Sequence, residues 1–298
     1  MKLNKNSLAG VYTALVTPFD ENGGLDMQAY TTLIAMQLDG GVAGLVVVGT
    51  TGESATLSDS ERDRLIEATV AQADGKIPVV VGTGSYNTET AVRQTKRAQE
   101  LGADGCLVVT PYYNKPTQLG LLEYFKTVAA ATSLPIILYS IPGRCGVEIA
   151  IDTAAELSNI ENIIAIKEAG DSVARVTELR LACNDDFTIH CGDDGLALPF
   201  LSTGSTGATS VVSNVFPELM VSLIQKWQEG NNAKALELHD QLTVIANAMF
   251  VESSPVPVKA ALQMKGVMKA KVRAPLVQLS KESEAIVKSA VDGYQGNT

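Results

Sequence analysis

Ile163-Ile164-Ala165-Ile166-Lys167-Glu168-Ala169 is a short apolar run that ends in a lysine. Unbroken apolar runs of this length read as strands covered on both faces, the pattern of a parallel sheet. Seven further runs share its character, beginning at Gly10 (GVYTALVTPF), Gly44 (GLVVVGT), Pro78 (PVVVGTG), Gly105 (GCLVVTPYY), Pro135 (PIILYSIP), Phe187 (FTIHCGDD) and Gly207 (GATSVVSN). Helix-like segments lie between them. The clearest opens at Ser58 with Glu61 three residues on, a capping box, and continues through Leu65, Ile66, Thr69 and Val70 to a stop at Gly75. Eight such βα beats fit an α/β chain folded as a closed (β/α)8 TIM barrel better than an open doubly wound sheet. No GxGxxG follows the first strand, and Gly82-Thr83-Gly84 is too short for a dinucleotide fingerprint.

After the eighth strand the pattern becomes helical only. Leu219, Met220, Leu223, Ile224 and Trp227 mark one apolar face, and Ala235, Leu238, Leu242, Ile245 and Met249 another. Further helices are expected over Pro257–Met268 and Ser280–Asp292. The barrel catalytic domain is thus expected over 1–230 and a C-terminal helical extension over 231–298. The extension is too small for a core of its own, so it packs on the barrel or on a neighbouring subunit.

The 298 residues are 46% hydrophobic and 19% charged, enough to bury one barrel-sized core. A net charge of −10, with no run of Lys or Arg, argues against nucleic acid or an anionic membrane as partner. Cys106, Cys145, Cys183 and Cys191 show no CxxC spacing and have only His190 and His239 for company, so neither a disulfide framework nor a metal site is expected. A strand-like segment begins within a dozen residues of Met1, and no apolar stretch reaches the ~18 residues of a membrane span. A cytoplasmic protein is expected.

In a barrel of this kind the site gathers at the carboxyl ends of the strands. Five polar stretches fall there: Gly49–Glu53, Tyr112–Pro116, Tyr139–Arg144, Lys167 and Cys191–Asp194. Each has a plain structural alternative. Lys167 can pair with a neighbouring carboxylate, Gly-Thr-Thr-Gly can be an ordinary turn, Tyr-Tyr-Asn a loop, Asp193-Asp194 a helix cap, and Arg144 a surface ion-pair partner. The chemistry that the set allows is imine formation. Only a neutral amine attacks a carbonyl, and desolvation lowers the pKa of a lysine by up to about 3–5 units. Loss of water from the carbinolamine needs a proton donor and acceptor, a task that fits Tyr139. The Thr50 and Thr51 amides can hold a carboxylate and the Thr50 hydroxyl can pass a proton to a phenol, so a short 2-oxo acid is the natural substrate. Arg144 can bind a second carboxylate bidentately.

Taken together, GTTGE, PYYNKP, YSIPGR, IAIKEA, CGDD, GATSV and SSPVPVKAAL resemble the dihydrodipicolinate synthase and N-acetylneuraminate lyase superfamily, from Gly10 to about Gly266. The resemblance implies a class I aldolase-like mechanism with Lys167 as the Schiff-base lysine for pyruvate, no cofactor beyond that covalent imine, and tetramers built as dimers of dimers. Thr50-Thr51 and Arg144 resemble the synthase branch, whose second substrate is aspartate β-semialdehyde. In that branch Tyr139, Thr50 and Tyr113 form a proton relay, with Tyr113 reaching in from the neighbouring subunit. Thr51 and Arg144 bind the two carboxylates, and the Thr209 carbonyl and Gly192 line the pocket. Ser140 stands where the family usually has asparagine. In lysine-inhibited members an interface pocket uses residues matching Ser54, Ala55 and Tyr112 with an asparagine and a glutamate, whose places are taken here by Tyr86 and Thr90. Loss of that carboxylate predicts weak or absent lysine inhibition. The alternatives are another pyruvate-dependent aldolase of the same fold and a barrel kept as a binding protein.

Overall fold

The computed structural model describes residues 3, 4 and 7–294. Its parallel strands are β1 (Gly10–Ala14), β2 (Gly44–Val47), β3 (Val79–Gly82), β4 (Gly105–Val109), β5 (Ile136–Ser140), β6 (Ile163–Glu168), β7 (Thr188–Cys191) and β8 (Gly207–Ser210). They pair in chain order, and β8 hydrogen-bonds back to β1, closing the barrel. Every strand begins at the residue read from sequence or one later. β3 and β5 start late because Pro78 and Pro135 have no N–H for the ladder, although their carbonyls accept from the amides of Leu45 and Cys106.

The helices are α1 (Met27–Asp39), α2 (Asp59–Ala73), α3 (Thr88–Glu100), α4 (Gln118–Ala130), the short α5 (Pro142–Cys145), α6 (Ile151–Ser158), α7 (Val173–Ala182), α8 (Ala197–Ser202), α9 (Pro217–Gln228), α10 (Asn232–Met249), α11 (Val256–Met264) and α12 (Lys281–Gly293). The capping box at Ser58 and Glu61 is formed, and α2 ends where Asp74 and Gly75 turn left-handed. α11 stops at Met264 rather than Met268, because Gly266 takes φ +72 and reverses the chain.

The strands are apolar on both faces for two different reasons. Outward residues such as Leu45, Val47, Val79, Val81, Val108 and Leu138 pack beneath the helices. Inward residues Tyr12, Val46, Val80, Leu107, Ile137 and Ala165 fill the lumen, which Leu3 and Leu8 plug at its amino end. The lumen is therefore a packed core, and only its carboxyl mouth is open to chemistry. Between β5 and β6 the register shifts by one residue after Ile136, and the shift sets Tyr139 beside Lys167 on the luminal side.

Leu238, Leu242, Ile245 and Met249 of α10, Val258 and Leu262 of α11, and Val287 of α12 belong to the same apolar cluster as Leu219 and Leu223 of α9. The C-terminal helices thus pack on the barrel.

Candidate active site

The loop after β2 is held in an unusual backbone. Val48 and Glu53, which bracket Gly49-Thr50-Thr51-Gly52, lie at φ 49 and φ 55. Left-handed backbone at a non-glycine residue costs roughly 1–3 kcal/mol and persists only where the surroundings enforce it. Tyr113 (φ 74) and Lys115 (φ 45), in the loop after β4, are strained in the same way. Of the positive-φ non-glycine residues among the described ones, only Asp74 lies away from this mouth. The amides of Gly52 and Glu53 donate back to Gly49 and Thr50, whereas those of Thr50 and Thr51 have no protein acceptor among the described residues. Two adjacent N–H groups without a protein acceptor suit a carboxylate.

Lys167 is 5% exposed, in the second-last position of β6. The neighbouring carboxylate that would make it an ordinary ion-pair lysine is committed elsewhere. Glu168 is wholly buried; it accepts from Arg175 Nε at 2.9 Å and from the Gly170 amide at 2.8 Å. Burial pushes the Glu168 carboxyl upward, and Arg175 opposes that shift. Among the described residues no carboxylate lies within ion-pair distance of Lys167 Nζ, which instead stands 4.2 Å from the centroid of the Tyr139 ring.

Above them opens a cavity of about 340 Å³ lined by Thr50, Glu53, Tyr112, Tyr139, Ile141 and Arg144 among others. Arg144 lies at the exposed rim and makes no ion pair among the described residues; Nη2 donates to the Ser254 carbonyl at 3.1 Å. Lys167, Thr51, Thr209 and Gly192 lie outside this lining. Gly192 lies directly against the lysine, since a Cβ there would come within 2.9 Å of Lys167 Cε. A glycine is required for that approach. Thr209 is 5% exposed, and its Oγ1 pairs with Nδ1 of His190 at 2.8 Å. His190, paired in register with Lys167, is held well below the usual imidazole range, near 3, first by burial and then by the Lys167 charge, against opposing contacts from the Leu8 and Gly10 backbone. It is a neutral residue of the lumen at ordinary pH. Tyr113 is 92% exposed and points out of its own barrel, and among the described residues no hydrogen bond joins it to Thr50 or Tyr139. Asp193 and Asp194 follow the plain alternative. Asp193 caps the turn through the Gly195 amide, and Asp194 accepts from the amides of Val211 and Val212.

Two parts of the site involve residues to which the sequence analysis gives no role. Ser254, Pro255, Pro275 and Leu276 form one wall of the cavity, so the C-terminal segments reach the mouth. Beneath the Thr50-Thr51 loop, Lys259 of α11 is wholly buried and its Nζ reaches Glu53 Oε1 at 2.6 Å. A signal exists for the second: Lys259 is the sole charge in the apolar stretch Val256–Leu262. Four free, buried cysteines and the absence of any cluster of three or more metal-ligating side chains complete the picture among the described residues.

A model of the dihydrodipicolinate synthetase family matches residues 7–293. The 4-hydroxy-tetrahydrodipicolinate synthase of Thermotoga neapolitana is 46% identical over 286 residues, covering 95% of this chain and 97% of that one. A crystal structure of a Bacillus anthracis dihydrodipicolinate synthase superposes with a TM-score of 0.94 at 43% identity, covering 97% of this chain and 99% of that one. A synthase variant described as monomeric also superposes at 0.94, with 41% identity and 96% and 97% coverage.

Proposed function

The chain belongs to the dihydrodipicolinate synthetase family, and from that premise we propose that it condenses pyruvate with L-aspartate 4-semialdehyde to 4-hydroxy-tetrahydrodipicolinate, the first committed step towards diaminopimelate and lysine. The observation that carries this reading is Lys167: a buried amine at the luminal mouth, against Tyr139 and without a carboxylate partner among the described residues. Lys167 attacks the ketone carbon of pyruvate, whose carboxylate rests on the Thr50 and Thr51 amides. Tyr139 shuttles the protons as the carbinolamine loses water to the imine. The enamine adds to the aldehyde, and the amino group of the semialdehyde then closes on the imine carbon and displaces the lysine, so one water is released overall. Thr209 and Gly192 act around Lys167, the first through His190 and the second by leaving room for the lysine stem.

Tyr113 completes the relay with Tyr139 and Thr50 from the partner subunit. An exposed tyrosine in strained backbone is placed for a contact outside its own chain, which supports a dimer as the smallest complete active unit and a tetramer of two such dimers. The biosynthetic role of the family supports a cytoplasmic location. No helix among the described residues is long and apolar enough to cross a membrane. The barrel over 1–230 with its extension over 231–298 acts as one catalytic unit, since the cavity draws residues from both.

Borohydride reduction in the presence of pyruvate tests the proposal: a pyruvyl adduct on Lys167 is expected, and its absence would contradict the mechanism. Arg144→Ala is expected to lower kcat/KM for the semialdehyde roughly 100-fold, about 3 kcal/mol for a charge-assisted carboxylate contact, while leaving the pyruvyl adduct intact. An equal loss of adduct would remove Arg144 from the semialdehyde subsite.

Lysine inhibition is expected to be weak. Thr90 stands in the first turn of α3, where its amide is capped by Asn87, and Tyr86 packs edge-on against Tyr112 at 5.3 Å. The carboxylate that would pair with an effector ammonium is missing, which costs roughly 1.5–3 kcal/mol, more than about tenfold in affinity. A lysine titration of the initial rate is therefore expected to give half-maximal inhibition only above about 1 mM.

A further inference from the structure

Lys259 is wholly buried, and its ammonium makes three contacts beneath the floor of the cavity. Its Nζ donates to the Thr17 carbonyl at 2.8 Å, pairs with Glu53 Oε1 at 2.6 Å, and sits 4.3 Å from the Phe19 ring centroid. Thr17 in turn donates its hydroxyl to the Gly52 carbonyl at 2.7 Å. The second carboxylate oxygen of Glu53 accepts from the Arg273 amide at 2.9 Å. The left-handed turn at Glu53 and the carbonyl of Gly52 are therefore gripped from below by one ammonium, directly and through Thr17. Thr50 and Thr51 stand immediately upstream, with their amides aimed at no protein acceptor among the described residues.

Burying an ion pair is costly, so its retention asks for a reason beyond stability. Burial pulls the Lys259 ammonium down to about 8, Glu53 opposes that shift, and Arg273 adds to it. An apolar pair of the same shape would pack in this place at no such cost, but it could not hold a backbone turn at a defined carbonyl and carboxylate.

We propose that Lys259 is a positioning residue for pyruvate: through Glu53 and Thr17 it fixes the Thr50 and Thr51 amides that receive the substrate carboxylate, an assignment that rests on the pyruvate reading of Lys167. α11 thereby serves both ends of the cavity. Ser254, two residues before the helix, accepts from Arg144 at the semialdehyde end, and Lys259, one turn into it, holds the pyruvate end.

Lys259→Met alone leaves Glu53 buried and unpaired and is expected to impair folding for that reason; Lys259→Met combined with Glu53→Gln removes both charges and keeps their volumes. In the double variant the pyruvate KM is expected to rise roughly tenfold or more, because small misplacements of a binding group are expensive, while the semialdehyde KM stays within about twofold. Hydrogen exchange at the amides of residues 48–53 is expected to quicken, a readout independent of the substrate. A folded double variant with an unchanged pyruvate KM, or with unchanged protection of that loop, would overturn the proposal. If both kinetic constants rose together with the loop protection intact, the pair would be a core element only. A wild-type protein that forms no borohydride adduct with pyruvate would instead overturn the reading of Lys167, and loop protection would then judge the tether by itself.

Discussion

Lys167→Ala is expected to lower turnover of pyruvate with aspartate semialdehyde by about 10⁴-fold or more and to abolish borohydride trapping, while the barrel still folds. The size of the loss follows from the mechanism. Without the amine there is no imine, and without the imine the methyl protons of pyruvate are far too weakly acidic to give the nucleophilic enamine at neutral pH. The remaining residues can only bind and orient. Survival of the fold follows from the surroundings of the lysine. Among the described residues no carboxylate depends on Lys167, because Glu168 is held by Arg175 and the Gly170 amide. Removing an unpaired amine from a buried site relieves desolvation and offsets the cavity left by its stem. Circular dichroism and thermal melting of the variant separate chemistry from folding, and substantial residual trapping would place the imine on another lysine.

Tyr139→Phe is expected to lower kcat by roughly 10²–10⁴, the span of general acid–base catalysis, with little change in the pyruvate KM. The substitution is clean because it keeps the ring. The contact between Lys167 Nζ and the ring, 4.2 Å to its centroid, survives, and so does the register pairing of β5 with β6. Only the hydroxyl is lost, and with it the group that carries protons to and from the carbinolamine. Trapping of the adduct should still occur at long incubation but at a rate reduced in parallel with kcat. A variant with unimpaired kcat would show that another acid serves the step.

The strand positions are legible in the amino-acid sequence because each is a short, largely apolar run: outward residues pack under helices and inward ones fill the lumen, so the few polar residues within them, such as Thr13, His190 and Thr209, are buried too. The lysine, tyrosine and arginine are legible because each breaks an apolar or turn-rich stretch at a strand's carboxyl end. Sequence does not show which plain alternatives win. Asp193 caps its own turn through the Gly195 amide, whereas Asp194 is held by backbone amides more than ten residues away in the chain, a contact that no local pattern encodes. The reach of Ser254 and Pro275 into the cavity is hidden for the same reason, as is the grip of Lys259 on Glu53, which spans 206 residues of sequence. Strain at Val48 is equally invisible, because valine is an ordinary strand residue and only the dihedral angle, φ 49, marks it.

The central claim is tested most directly by mass analysis of the product formed from pyruvate with aspartate semialdehyde, run beside pyruvate with N-acetylmannosamine and pyruvate with glyceraldehyde. A cyclic condensation product, one water lighter than the two substrates combined, is expected from the semialdehyde alone. Turnover only with a sugar aldehyde would contradict the synthase reading and would make this protein a sister aldolase on the same barrel.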